Sequence, residues 1–475
     1  MSLNPFSFVV VLVILAIFFK DYNKRLEVFF KHIFLLNVYL SIFLNVGWFF
    51  KLGSTELGYS FLPSTILIVV GIICLIADKK YDKKLLLFGV LFILGVVLGI
   101  LFFFVTPYRG GIIQNSWDEY VMGNEELTYD PVIDINFMSL FSIVRYPIIL
   151  SIAFAIFKKE DWISAHRQVM SLSTIVIVYG FIELLCKSVL NLNMTRLFLN
   201  PIFGEAFPTY ALTERMQGLF KEPSHYSLGL YLLALLCLLR IRVLSQGSRR
   251  KYRLEHVRLV CILFLMLAST SFSSLIYLAA VVVLYPFICR GVRASVIIFF
   301  SAIVLALALM VGTNQWLMST MGLGSYYERI NRAIHSVASL MSGNMATGSS
   351  EGARFSSIFS MISILFHRPL FGIGMGVTDA HSTVFAVLGN FGLVGFGLWV
   401  AMLVRFGNIK KCGGFFVFTV LVSMMFAGGV GFFTLMEYPF IFAIAGYSLS
   451  YPIKKAAPAT EQVGTNVTSQ IGDTP

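Results

Sequence analysis

Charge is what this sequence has least of. Only 13% of its 475 residues are charged, 57% are hydrophobic, and the mean hydropathy is +0.83. A soluble chain of this length needs far more polar surface. Cysteine is sparse as well. Cys74, Cys186, Cys237, Cys261, Cys289 and Cys412 all sit in or at the edge of apolar segments, none in a long polar loop. That pattern argues against a disulfide framework and against a cysteine metal cluster. HExxH, EF-hand and Walker P-loop patterns are missing, and so is a DxD pair. The Gly372-x-Gly374-x-Gly376 run has no soluble βαβ unit around it, so it is not a dinucleotide fingerprint. No metal and no cofactor are expected.

Long apolar runs are what is there. Leu85–Val105 and Ala294–Gly312 each continue for about 20 residues without a charge, the length that crosses a bilayer. In lipid only a helix or a closed barrel satisfies its own backbone, and barrel strands would alternate polar with apolar residues. The expected fold class is all-α: a polytopic membrane protein with about 13 transmembrane helices. They are read at 5–19, 33–50, 61–77, 85–105, 136–157, 168–190, 225–241, 258–269, 272–288, 294–312, 384–404, 413–433 and 438–452. The first run reads as a helix and not a signal peptide, because no basic stretch precedes it and no small-residue cleavage site follows. Residues 1–452 form one membrane domain that includes a large outer loop at 313–383. Residues 453–475 are expected to be a disordered cytoplasmic tail.

The net charge of +12 is a topology signal. Of the 36 Lys and Arg residues, 25 fall in one alternating set of connectors and tail, and 9 in the other. By the positive-inside tendency the basic set is cytoplasmic. The N-terminus is then outside and the C-terminus inside, and a nucleic-acid partner is not expected. The outer loop at 106–135 is acidic, with Asp118, Glu119, Glu125, Glu126, Asp130 and Asp134 against Arg109, and reads as a solvated lid rather than a cation site. The loop at 313–383 is too long for a mere connector. Its apolar stretch Phe355–Phe366 predicts short helices lying along the membrane surface.

This topology turns three helix starts to the outer face. They are Lys221-Glu222-Pro223-Ser224-His225, Thr270-Ser271-Phe272-Ser273-Ser274 and Thr378-Asp379-Ala380-His381-Ser382. Unpaired N–H groups and the positive dipole end favour anions there, although each feature also reads as an ordinary helix cap. The outer arginines Arg215, Arg329, Arg332, Arg354 and Arg368 add permanent positive charge. Guanidinium forks grip phosphate oxygens, and Arg215 and Arg354 are the better candidates for a diphosphate clamp. Within the bilayer Arg145, Glu183 and Lys187 stand out as costly charges. Glu183 and Lys187 are spaced for a local ion pair. Arg145 is read near mid-membrane, either close to a lipid phosphate or paired with Glu183.

Two stretches resemble the bacterial O-antigen polymerase and O-antigen ligase superfamily, the Wzy-type and WaaL-type membrane glycosyltransferases. One is Arg215-Met-Gln-Gly218-Leu-Phe220-Lys-Glu222-Pro223-Ser224, similar to the family's R-x-x-G-x-F-x-E-P segment. The other runs from Arg354 through His367-Arg-Pro369-Leu-Phe-Gly372-Ile-Gly374-Met-Gly376 to His381, then Gly389-Asn-Phe-Gly392-Leu-Val-Gly395. The Ser-rich span 267–279 looks like the one the family carries between them. One departure is His381-Ser382, where the family has H-N. The resemblance covers roughly residues 130–450 and implies a GT-C-like fold in the bacterial inner membrane. It implies a polymerase that moves a growing glycan from undecaprenyl diphosphate onto the next lipid-linked repeat unit. A ligase would instead use lipid A core; the Glu-Pro-Ser form favours the polymerase. The partners implied are the lipid-linked oligosaccharide, membrane lipids and a chain-length regulator protein. The expected chemistry is metal-independent and inverting. His381 would be the base, with Glu222 as competing base or as orienter of Arg215. Arg215, Arg354, Arg329, Arg145, Ser224 and His225 would bind diphosphate or glycan. A lipid-linked oligosaccharide flippase is the rival reading, and it predicts broken helices and mid-membrane polar residues.

Overall fold

The computed structural model describes residues 2–42, 48–52, 55–78, scattered positions from 87 to 101, 137–190, 192, 194, 216–220, 223–244, 249–269, 271–290, 293, 296–297, 314–320, 324–341, 350–372, 382–406, 414–426 and 444. These residues are almost entirely helical. In chain order they form β1 (Ser2–Leu3), α1 (Pro5–Asp21), α2 (Leu26–Ile42), β2 (Trp48–Leu52), β3 (Thr55–Gly58), α3 (Phe61–Asp78), α4 (Phe137–Ile156), α5 (Lys159–Leu190) and α6 (Pro223–Leu244). There follow α7 (Arg249–Ala268), α8 (Phe272–Arg290), α9 (Gln315–Thr320), α10 (Gly324–Met341), α11 (Ser350–His367), α12 (Thr383–Phe406) and α13 (Gly414–Phe426).

Local chemistry sets the helix ends. Asn4 caps α1, its side chain accepting from the Phe6 amide at 3.0 Å, with Pro5 in the first turn. α5 begins nine residues earlier than the apolar pattern indicates. Glu160 and Asp161 occupy its first turn, and Asp161 reaches back to accept from the Lys158 amide at 2.8 Å. α7 likewise begins at Arg249, so the stretch read as a short helix at 258–269 is 20 residues long. α2 differs most from its expected range of 33–50. It ends at Ile42, and the aromatic run after it is a strand. Trp48–Leu52 pairs antiparallel with both Ser2–Leu3 and Thr55–Gly58. Within 51–60, expected as a plain outer loop, residues 51–52 and 55–58 belong to a small three-stranded sheet that ties down the first helix. Ser7 donates to the Phe49 carbonyl, and Phe6 packs edge-on against Tyr59 at 5.1 Å.

α6 is the centre of the molecule. Its residues are buried almost all round, packed by α5, α7 and α8. A helix apolar on every side belongs in such a position. α2, α3 and α4 pack together at the N-terminal side, where Gly71 lets Ile152 lie directly on the α3 backbone. Lys31 and Asp161 form an ion pair at 2.7 Å, and His166 bonds the Leu236 carbonyl at 3.1 Å. These contacts gather the connectors before α2 and α5 and the C-terminal part of α6 at one end of the bundle.

Three helical stretches are long and apolar enough to cross a membrane: Glu160–Leu190, Pro223–Leu244 and Thr383–Ala401. Shorter apolar helices are Phe61–Ala77, Ser273–Cys289 and Phe415–Met425. The outward faces are apolar as well. On α5 Ile175, Val178, Ile182, Leu185 and Val189 are exposed at helical spacing, and on α7 Val257, Val260 and Phe264 are. Water would leave these stripes uncovered and lipid covers them, which is the pattern of a membrane protein.

α11 is a helix over the apolar stretch Phe355–Phe366, within the loop expected to hold short helices. It packs beside α12. Met361 sits on Gly389, and eight residues later the Pro369 carbonyl accepts from the Leu393 amide at 2.7 Å. Ile358, Met361 and Ile364 are buried while Phe359 and Phe366 are exposed.

Candidate functional site

The site begins with the segment before α6. Met216–Phe220 folds back on itself, with the Phe220 amide donating to the Gln217 carbonyl at 3.1 Å. Gly218 stands at φ 57°, in the left-handed region. A side chain there would also collide with the ring of Tyr226 in the first turn of α6. Phe220 lies over Gly229, one side of its ring facing Tyr226 at 5.7 Å between centroids. The glycine and phenylalanine of the Arg215–Ser224 motif therefore dock the segment onto α6.

Glu183 holds the same segment from α5. One carboxylate oxygen accepts from the Gln217 amide at 3.1 Å, the other from the Gly218 amide at 2.8 Å. Lys187, one turn on, adds its charge. Sequence spacing pointed to Lys187 or Arg145 as the partner of Glu183 and missed the main-chain amides. The only signal available was an acid within an apolar run.

Two helix starts meet here through hydroxyl groups. Ser227 of α6 and Ser269, at the α7–α8 junction, lie 3.2 Å apart, and Ser269 donates to Ser274 of α8 at 3.1 Å. Ser274 closes its own turn by donating to the Ser271 carbonyl at 2.6 Å. Further along α6, Tyr231 stacks on Tyr277 of α8 at 4.4 Å and its hydroxyl bonds Ser423 of α13 at 2.8 Å. The next residue of α13, Met424, offers its carbonyl to Ser382 at 3.3 Å. Ser382 in turn caps α12 by accepting from the Phe385 amide at 3.3 Å. The first turns of α6 and α8 thus share hydroxyls, and Ser382 at the start of α12 reaches the α13 turn that Tyr231 also reaches. Ser224 is buried and His225 half-buried at the head of α6. Ser227, Ser269 and Ser274 also donate to carbonyls of their own turns, so these hydroxyls fasten the helix starts together.

Near its middle α12 breaks. Gly392 has φ 64° and ψ −167°, and the Leu393 and Val394 amides donate to Pro369 and Leu370 instead of to their own helix. Backbone meets backbone here: a Cβ on Gly392 would overlap Leu370, and one on Gly372 would overlap Gly389 and Asn390. The Pro369–Gly372 part of the glycine motif is therefore a packing device.

The structure does not bring all the expected residues together. Arg145 is buried on α4, and its guanidinium points to the Ser60 hydroxyl, at 3.5 Å, at the start of α3. Its described partner lies under the small sheet and is not Glu183. Arg215, Glu222 and His381 lie outside the described residues, as does the acidic loop at 106–135. Arg329 falls on α10 and Arg354 on α11, and their side chains are also outside the described set. Among the described residues no group of three or more His, Cys, Asp or Glu side chains is placed to hold a metal ion. No protein-family model matches the chain, and no curated protein matches it either.

Proposed function

We propose that this chain is a membrane glycosyltransferase of the polysaccharide polymerase kind. It moves a growing glycan from undecaprenyl diphosphate onto the next lipid-linked repeat unit, at the outer face of a bacterial inner membrane. In this reading about 13 helices span the bilayer in a GT-C-like arrangement, N-terminus outside and C-terminus cytoplasmic. One observation above all supports it. The first turns of α6 and α8 share hydroxyls beside the segment Met216–Phe220, and the start of α12 and the middle of α6 both bond the same turn of α13.

The chemistry follows from the leaving group. An acceptor hydroxyl oxygen attacks the anomeric carbon, the bond from that carbon to the diphosphate oxygen breaks, and the configuration inverts. Diphosphate leaves as a stable anion, so it needs charge stabilisation more than a proton. Arg215 and Arg354 supply it with the helix dipoles. The acceptor's proton passes to His381, whose ordinary pKa suits a base near neutrality, or to Glu222. Arg329, Ser224 and His225 are assigned to binding of the glycan and its diphosphate.

The test is polymer assembly in cells at matched membrane levels. Arg215→Ala and Arg354→Ala should each cut polymer about 100-fold or more. Full-length polymer from both would sink the clamp. His381→Ala should slow transfer by about 100-fold while donor binding stays; an equal loss of binding argues against a base. A second reading, a lipid-linked oligosaccharide flippase, draws on the break in α12 with a turn packed into it. Deletion strains separate the two. Single lipid-linked repeats on the outer leaflet favour the enzyme, and repeats confined to the inner leaflet favour the flippase.

A further inference from the structure

We infer that Glu183 is a positioning residue: by holding the Gln217 and Gly218 amides, its carboxylate fixes where the segment between Arg215 and Glu222 stands over α6. The anchoring rests on the contacts alone; its link to glycan transfer rests on the proposed function.

Glu183 is seven residues, or about 10 Å, inside the C-terminal end of α5. It is 5% exposed. An acid at that depth is costly and persists where it has partners. A local ion pair with Lys187 would by itself explain the acid but not the loop. Each oxygen takes a different main-chain amide, from consecutive residues, and charge-assisted bonds of this kind are stronger than neutral ones. A left-handed residue next to successive N–H groups that face one anion is the pattern of a backbone nest, and Gly218 takes that place here. The surroundings are built to match. Gly180, three residues before Glu183 on α5, leaves room for the Tyr226 hydroxyl, and Tyr226 fills the space beside Gly218. The buried Tyr179 and Tyr226 hydroxyls both feel the Glu183 charge. One carboxylate, two glycines and one ring thus join α5, the segment and α6. The segment begins one residue after Arg215 and ends two before Glu222, so a shift at Gly218 is carried to both.

The test uses the full-length protein in lipid nanodiscs, read by hydrogen exchange and by transfer kinetics. Glu183→Ala should speed exchange of the Gln217 and Gly218 amides about tenfold or more, with the core of α6 still protected. Glu183→Gln keeps one acceptor oxygen and should fall in between. Should the alanine variant not fold, Glu183→Gln and the shorter Glu183→Asp carry the same comparison. Unchanged exchange in the variants that fold overturns the anchor. For transfer, Glu183→Gln should lower kcat about tenfold per folded molecule and leave KM within about twofold, and Glu183→Asp should restore part of the loss. Loosened amides with kcat unchanged would overturn the positioning role. If the parent protein transfers no glycan, the proposed function falls by itself and exchange still decides the anchor.

Discussion

Individual glycines make the sharpest predictions about this chain. Gly392 and Gly397 lie on the same helix with opposite surroundings. A methyl group at Gly392 meets the Leu370 backbone, and the residue stands in the left-handed region. At Gly397 nothing lies within 4 Å. Gly392→Ala should therefore cost about 2–4 kcal/mol, strain plus overlap with main chain that cannot swing aside. Gly397→Ala should be neutral or stabilise by up to about 1 kcal/mol, since alanine suits a helix better. Thermal unfolding in detergent reads both; equal losses at the two sites would refute the account. The Gly-rich pattern was legible in the sequence. That its glycines serve backbone contacts between a turn and a broken helix was not, because the partner residues lie some 20 positions away. Glu183 was visible as an oddity and its amide partners were not, for the same reason.

At the level of elements, polar side chains decide where helices begin and how they are joined. Asp21 at the end of α1 accepts from Lys24 at 2.8 Å and contacts His32 at 2.5 Å. Burial acts to raise its pKa, and the bonds and charges of Lys24 and His32 more than offset this, leaving it below the usual 3.8. A carboxylate with a depressed folded-state pKa contributes fully above its unfolded pKa and loses that contribution as pH falls through the folded value. The Tm gap between the parent and Asp21→Asn should therefore be full at neutral pH and narrow below about pH 4. A constant gap would remove Asp21 from the account. A second junction is Glu255 on α7, which pairs with Arg240 of α6 at 2.8 Å and Arg258 at 2.7 Å. It is 2% exposed. Glu255→Ala leaves two arginines facing each other and should cost about 3 kcal/mol, measurable by denaturant titration. Hydropathy placed most helix cores well. It missed the polar extensions of α5 and α7 because those turns are held by capping and ion pairs rather than by apolar periodicity.

For the whole molecule, sidedness is the testable statement. Trp316→Cys, at an exposed position in the loop that the proposed topology puts outside, should react with a membrane-impermeant thiol reagent in intact cells. Lys251→Cys, exposed in the basic connector region, should react only after permeabilisation. The reverse pattern would invert the topology. Orientation follows from the uneven sharing of Lys and Arg between connectors, a property that survives errors of a few residues in any helix. The packing of α11 beside α12 and the central place of α6 follow from no such count.

By itself the sequence determined that this is a helical chain with the pattern of a membrane protein, and marked the hydroxyl-rich helix starts. Apolar runs must satisfy their backbones internally. Only the tertiary structure decided what joins those starts: the Ser227–Ser269–Ser274 hydroxyls, the Tyr231–Ser423 bridge and the Glu183 anchor. Each joins residues distant in the chain and depends on ångström-scale approach. Composition and spacing carry no record of that distance.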